Sequence, residues 1–276
     1  MDGIIDNLTS ALNTWNSKLA EIWSLLTESP ETFKGGSIWE VILKIHDALE
    51  AIGLALLVLF FVWGLIKTCT SWQDIKRPEH AFKLFLRFII ARALVVYGMD
   101  MMKGIFEIVQ GIISTITETV GLGITNDTVI PQEIVDAVSN TGFLESIPLW
   151  AVTLLGSIFI TILSFIMILT VYGRFFKLYM YTAISPIPLA AAASESTQST
   201  ALTFIKSYSS VCLEGAIILL SCVIFTAFAT SSPTVDTSAS SVSMIWSYIG
   251  ELIFNMLVLV GTIKMSDRIV KEMMGL

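Results

Sequence analysis

The chain has 276 residues, 54% hydrophobic and 14% charged, with a formal net charge of −7 and a mean hydropathy of +0.78. Soluble domains carry about 25% charged residues. The deficit excludes an ordinary soluble domain and predicts an all-α polytopic membrane protein, in which every spanning segment satisfies its own backbone.

The first residues, MDGIIDNLTSALNTWNSKLAEIW, have no basic n-region and carry Asp2 and Asp6 early, so they do not read as a cleavable signal. Ile4, Ile5, Leu8, Leu12, Trp15, Leu19, Ile22 and Trp23 recur at helical spacing. Residues 1–36 are thus expected to form an external or interfacial amphipathic region, lying on the membrane or a partner, or packed as a cap on the chain's own domain. Gly35-Gly36 make a break. SIWE at 37–40 is a capping-box pattern that opens the transmembrane domain, 37–276. The uncharged run AIGLALLVLFFVWGLI (51–66), with margins, gives a first span at about 48–69. The loop over 67–87 carries Lys67, Lys76, Arg77, Lys83 and Arg87 against Asp74 and Glu79. The positive-inside rule makes it cytoplasmic, and a basic loop there also suits contact with partners or anionic lipid. Pro78 fits the first turn of a new helix.

From Phe82 to about Thr119 no proline interrupts the helical pattern. One long helix is predicted, spanning at about 84–106 and continuing to 119. At about 100° per residue, Arg92, Asp100, Lys103, Glu107, Gln110, Ser114 and Glu118 share a sector of about 80°. Lys83 and Arg87 lie on another face, near the cytoplasmic end, where they snorkel. Asp100–Lys103 and Lys103–Glu107 have the spacing to pair along the helix. Charge at membrane depth is costly and faces a bundle interior or an aqueous path, so the stripe is expected to line a chamber or join subunits. Two alternatives stay open: the second half is an amphipathic helix outside the membrane, or the stripe pairs with other helices of one subunit.

Residues 120–148 hold Asp127, Glu133, Asp136 and Glu145 and no Lys or Arg, so they are external. A span at about 149–172 ends at Arg174 and Lys177, hence inside. Spans at about 209–230 and 245–263 flank the loop 231–243, which has no basic residue, and Lys264, Arg268 and Lys271 put the C-terminus inside. Parity then requires 175–208 to enter and leave on the same side. LYMYTAISPIPLAAAA (178–193) lies within it. Its Pro186 and Pro188 disfavour helix in the residues before them, so Ser185 and Ile187 are expected to be extended. A re-entrant hairpin or broken helix over about 175–205 is the expected form, covered by protein or water; the alternative is a kinked full span. The expected topology is N-terminus outside, five spans, one re-entrant element and C-terminus inside, in the cytoplasmic membrane.

HExxH, GxSxG, Walker A and intramembrane GxGD patterns are absent, so no enzyme and no cofactor are expected. Cys69, Cys212 and Cys222 have no CxxC or Cys/His spacing and read as inert buried thiols. His46 and His80 fall on opposite predicted sides of the membrane. Glu214, near the inner end of its span, and Glu251 with Asn255 (i, i+4) on the last span are candidate polar contacts between helices. Two function classes remain: a transporter or channel for small solutes or ions, and a channel or scaffold subunit of a larger machine. Transporters often show matching breaks in paired halves. One break is found, and the long N-terminal region favours a subunit with partners outside the membrane.

Arg174 and Lys177 close a long span, YMYTAISPIPLAAAA (179–193) follows, and a small polar stretch precedes the next span. In this order of features, over about residues 45–270, the chain resembles the TrbL family of conjugative transfer proteins, the polytopic channel subunit of type IV secretion systems (the sixth subunit in VirB nomenclature). Its short length and lack of a long soluble C-terminal domain are similar to the versions from Gram-positive conjugative elements. The resemblance implies a ring-like homo-oligomer in the membrane that contacts ATPases and other secretion subunits while single-stranded DNA and its relaxase cross. The stripe has mixed sign, Arg92 and Lys103 against Asp100, Glu107 and Glu118, whereas a DNA conduit is basic. Packing and gating roles are therefore expected before direct DNA contact, which is transient if it occurs at all.

Overall fold

The computed structural model describes residues 2–68, 78–120, 128–139, 142–228 and 240–276. Among the described residues there are nine α-helices and no strand, as the composition requires. They are α1 (Asp2–Thr27), α2 (Ser37–Thr68), α3 (Pro78–Val96), α4 (Gly98–Val120), α5 (Gln132–Ser139), α6 (Phe143–Ile184), α7 (Pro186–Ala190), α8 (Gln198–Phe228) and α9 (Ser241–Met274). Among the described residues four stretches are long and apolar enough to cross a membrane: Phe33–Lys67, Ser146–Ile184, Gln198–Phe228 and Val242–Met274.

Several boundaries follow from local chemistry. A short 3-10 turn, Phe33–Gly36, precedes α2, with Lys34, Gly35 and Gly36 at φ +52°, +77° and +78°. The two glycines take this left-handed backbone without a Cβ penalty, and α2 starts at the Ser37 of the capping-box pattern. Pro78 opens α3, where its missing N–H costs nothing.

Two boundaries differ from expectation. The single helix predicted over Phe82–Thr119 is divided at Tyr97 into α3 and α4, and its expected span at 84–106 is not among the four apolar stretches. The Tyr97 N–H still donates to Ala93 O at 2.8 Å and the Met101 N–H to Tyr97 O at 3.0 Å, so the ladder is disturbed rather than opened. Gly98 sits against Leu189, so close that an added Cβ would lie 2.8 Å from its Cδ1. The helix predicted to end its span at Arg174 and Lys177 continues to Ile184.

The chain forms two compact units. The first comprises Met1–Thr27, Ile113–Gly173 and Gly215–Ser266. Its core takes the apolar face of α1: Ile4, Leu8, Leu12, Trp15 and Ile22 are buried. Asn16 fixes the approach of α5, donating from Nδ2 to Thr128 O at 3.3 Å and accepting the Thr128 N–H at 3.2 Å. Tyr172 donates to Glu21 at 2.8 Å.

The second unit comprises Glu28–Ile112, Arg174–Glu214 and Asp267–Leu276. Here α6 and α8 run antiparallel, since Arg174 reaches Val211 and Cys212 while Tyr181 packs on Phe204. Residues 175–208 therefore turn back on themselves. Met102, Phe106 and Val109 form the buried face of α4 in this unit, at the i, i+4, i+7 spacing of a helix stripe.

Candidate functional site: a broken helix and a buried charge network

The break lies at the tip of the α6–α8 hairpin. Neither Ser185 nor Ile187 is extended, contrary to expectation: Ser185 has φ −52° and ψ −35°, and Ile187 lies inside α7. Both prolines sit in the first turn of α7, at positions where a backbone N–H has no intrahelical acceptor anyway. Ser185 Oγ donates to Thr182 O at 3.0 Å, which caps the end of α6 locally. After the 3-10 turn Ala191–Ala193, the extended residue is Ser194, at φ −119° and ψ 144°. Thr197 Oγ1 donates to Ala191 O at 2.6 Å and starts the return into α8.

Ser185, Pro186, Leu189 and Ala190–Ser194 are all buried. Their cover is α2 and α3. Two glycines of α2 permit the approach. A Cβ on Gly53 would meet Pro186 Cβ and O at 2.8 Å, and one on Gly64 would meet Ser194 Oγ at 2.9 Å. Gly53 and Gly64 are eleven residues apart, about 16 Å of helix, and about 20° apart around the axis. The segment 186–194 thus runs alongside the uncharged stretch of α2. This spacing was readable in the sequence as a small-residue face but meant little without its partner.

The second feature joins α6, α8 and α9. Arg174 is 1% exposed. Its guanidinium donates to the carbonyls of Val211 at 3.3 Å and Cys212 at 3.2 Å. The Phe106 and Phe175 rings flank it, with centroids 6.0 and 5.9 Å away. One turn on, Lys177 Nζ lies 3.3 Å from Glu214 Oε2 and 3.0 Å from Asp267 Oδ1, and Lys271 lies 2.9 Å from Asp267 Oδ2. Glu214 of α8 thus faces Lys177 of α6. Sequence reasoning missed Asp267 and read Lys271 only as a topological signal, although their i, i+4 spacing is a pairing signal. Lys177→Met is expected to cost about 1 kcal/mol: it strands the Glu214 carboxylate, 2% exposed, but Lys177 is itself 36% exposed, so water reaches the pair and the loss stays well below that of a fully buried one. Adding Glu214→Gln should recover most of that loss. Denaturant unfolding in detergent across this cycle should give a coupling of about 1 kcal/mol; additive losses would show that the pair does not interact.

The polar stripe is only partly drawn together. Arg92, Asp100, Glu107, Ser114 and Glu118 are exposed, and Lys103 and Gln110 are half-buried. The expected pairs of Lys103 with Asp100 and Glu107 are not formed. Lys103 instead meets Glu31 at 2.8 Å and lies 5.7 Å from the centroid of the Trp39 ring. A pair that also covers an aromatic face gains more than one along an exposed helix. Ser114 Oγ donates to Glu118 at 3.4 Å. Glu251 is exposed and Asn255 half-buried.

Of the basic loop, Lys76 and Arg77 lie outside the described residues, as does Cys69. Lys67 lies 5.8 Å from the centroid of the Trp63 ring, Lys83 is exposed, and Arg87 meets Glu195 at 3.3 Å. His46 is 2% exposed, and neither ring nitrogen has a hydrogen-bond partner among the described residues. With Asp47 and Glu50 it brings three ligand atoms within 4.8 Å of one another.

Long apolar helices, a proline-broken hairpin tip under a glycine-faced helix, and ionic contacts between helices define a polytopic all-α membrane protein. Within that class, the chain belongs to the TrbL/VirB6 plasmid conjugal transfer like protein family: its family model matches residues 15–186, more than half of the chain. The match ends at Pro186, so it takes in α2 through α6 and the start of the break. No curated protein matches the chain. No solved structure matches it either. Membership makes the protein a component of a conjugal transfer, or type IV secretion, apparatus.

Proposed function

We propose that the protein is the membrane-embedded channel or scaffold subunit of that apparatus, forming a ring-like homo-oligomer through which DNA with its bound protein is moved across the cytoplasmic membrane. The observation that carries this reading is the break. Residues 186–194, made of the short helix α7, the 3-10 turn and the extended Ser194, pack along the uncharged stretch of α2, so where α2 crosses the bilayer this interruption of the helical ladder sits at membrane depth under protein cover. Irregular backbone is tolerated there only under such cover or beside water, and a covered break is a natural place for a gate.

In this proposal the hairpin over 175–205, whose turn lies between α6 and α8, begins and ends on the cytoplasmic side, with the N-terminus outside and the C-terminus inside. The exposed stripe residues Arg92, Asp100, Glu107 and Glu118 face other subunits or the chamber they enclose. Other secretion subunits, the ATPases among them, meet the cytoplasmic basic residues Lys67, Lys76 and Arg77. DNA contact is transient.

Deleting the gene from its element should abolish conjugal transfer, with recovery on complementation; normal transfer would refute the secretion role. Single-cysteine labelling at positions 125, 200 and 238 tests the topology in the same cells. Position 200 should be shielded from an external reagent and 125 and 238 reached by it. Labelling of 200 from outside would overturn the re-entrant element while leaving the secretion role standing.

A further inference from the structure

One face of α3 carries Lys83, Arg87, Ile90 and Leu94, at i, i+4, i+7 and i+11. Together with Leu202 and Ile205 of α8 it walls a groove of about 300 Å3, with Ala192 of the break segment on its floor. Its polarity is graded. Arg87 meets Glu195 just before α8, while further along Tyr208 donates to Met102 O at 3.0 Å, so α3–α4 and α8 run in the same direction here. Both cations therefore share one end with Gln198, and the other end is aliphatic.

From Lys83 to Leu94 the groove runs about 16 Å, close to the ~15 Å depth of one hydrocarbon leaflet. Its aliphatic rim is open: Leu86, Ile90 and Leu202 are 46%, 52% and 53% exposed. In a membrane protein, lipid covers such a surface, and a headgroup of zero net charge would leave two cations set against the one carboxylate of Glu195. We propose that this groove binds an anionic phospholipid, its phosphate on Lys83 and Arg87 and one acyl chain along Ile90, Leu94, Leu202 and Ile205. Basic pockets between membrane helices recognise lipid headgroups in this way. Glu195 sits opposite in sense. Its carboxylate is 84% exposed and already engages Arg87, so it competes with the phosphate. The inference rests on the protein's being in a membrane with α3 against the bilayer, not on its part in secretion.

The test uses the full chain purified from vesicles of mixed phosphatidylglycerol and phosphatidylcholine, with retained lipid measured by native mass spectrometry. Wild type should retain phosphatidylglycerol in preference. Lys83→Gln and Arg87→Gln should each lower that preference about fivefold. Glu195→Gln should raise it. Ile90→Trp, which fills the aliphatic end, should lower retention of both lipids without changing their ratio. Lys264→Gln, at an exposed lysine outside the groove, should change nothing. Equal retention of the two lipids by wild type, an effect of Lys264→Gln as large as that of Lys83→Gln, or a fall with Glu195→Gln would each overturn the proposal. Displacement by glycerol phosphate without an acyl chain would overturn its lipid half.

Discussion

Arg174→Ala is expected to lower the stability of the chain by about 3 kcal/mol, the largest effect of any single truncation considered. The change removes two charge-assisted hydrogen bonds, each worth about 1.5–3 kcal/mol when intact, and leaves a cavity between two aromatic rings that relaxes only in part. Relief from burying the charge offsets some of this loss, so the losses do not simply add. The acceptors decide what a replacement can achieve. The carbonyls of Val211 and Cys212 belong to α8 and keep helical partners, so an apolar side chain of similar length orphans nothing. Arg174→Met should therefore recover most of the loss. Arg174→Lys should recover less, because an ammonium lacks the planar fork and the stacking surface yet still buries a charge. Denaturant unfolding in detergent checks the order alanine, lysine, methionine from least to most stable. A loss below about 1 kcal/mol for alanine would show that the guanidinium is not structural.

Arg174 also shows where the sequence was readable and where it was not. As one of a pair of cations at the end of an apolar run, it read as a topological marker. Its neighbours in space, Phe106 and residues 211–212, are far off in the chain, and local pattern carries no information about them. The same division holds elsewhere. The all-α class, the Gly35-Gly36 break, the start of α2 at Ser37 and the start of α3 at Pro78 follow from composition and local backbone chemistry, and all were legible.

The division at Tyr97 was not legible, because its neighbour Gly98 packs against Leu189 of the broken segment rather than against anything in its own helix. Lys103 chose Glu31 and Trp39 over residues on its own helix for the same reason. Ser185 failed differently: the rule that proline disfavours helix before it met a stronger local fact, that both prolines fit the first turn of a new helix. The uncharged face of α1 was legible as a face, but its covering by the first unit was not, since amphipathicity alone does not say what covers it.

The break itself gives the second large effect. Gly53→Leu is expected to cost about 3 kcal/mol, at the upper end for overpacking. Even the first added atom would lie 2.8 Å from both the Cβ and the carbonyl oxygen of Pro186. A proline ring in the first turn of a buried helix has no rotamer by which to yield. Gly64→Leu should cost less, because its first contact is Ser194 Oγ, the end of a side chain that rotates. Gly104→Ala, with nothing within 4 Å of its added Cβ, should be neutral or gain up to about 1 kcal/mol from helix propensity alone. This last variant calibrates the series, since replacing any helical glycine gains something from propensity. Measuring unfolding and conjugal transfer on the same variants then separates two roles for the break. If the segment 186–194 only wedges helices together, transfer falls in step with stability, and Gly53→Ala and a destabilising core change of equal cost should transfer equally. If it moves as a gate, Gly53→Ala should lose more transfer than its stability loss predicts, because the glycine contact lets α2 and Pro186 slide past one another. Equal transfer at equal stability would remove the gate and leave the wedge.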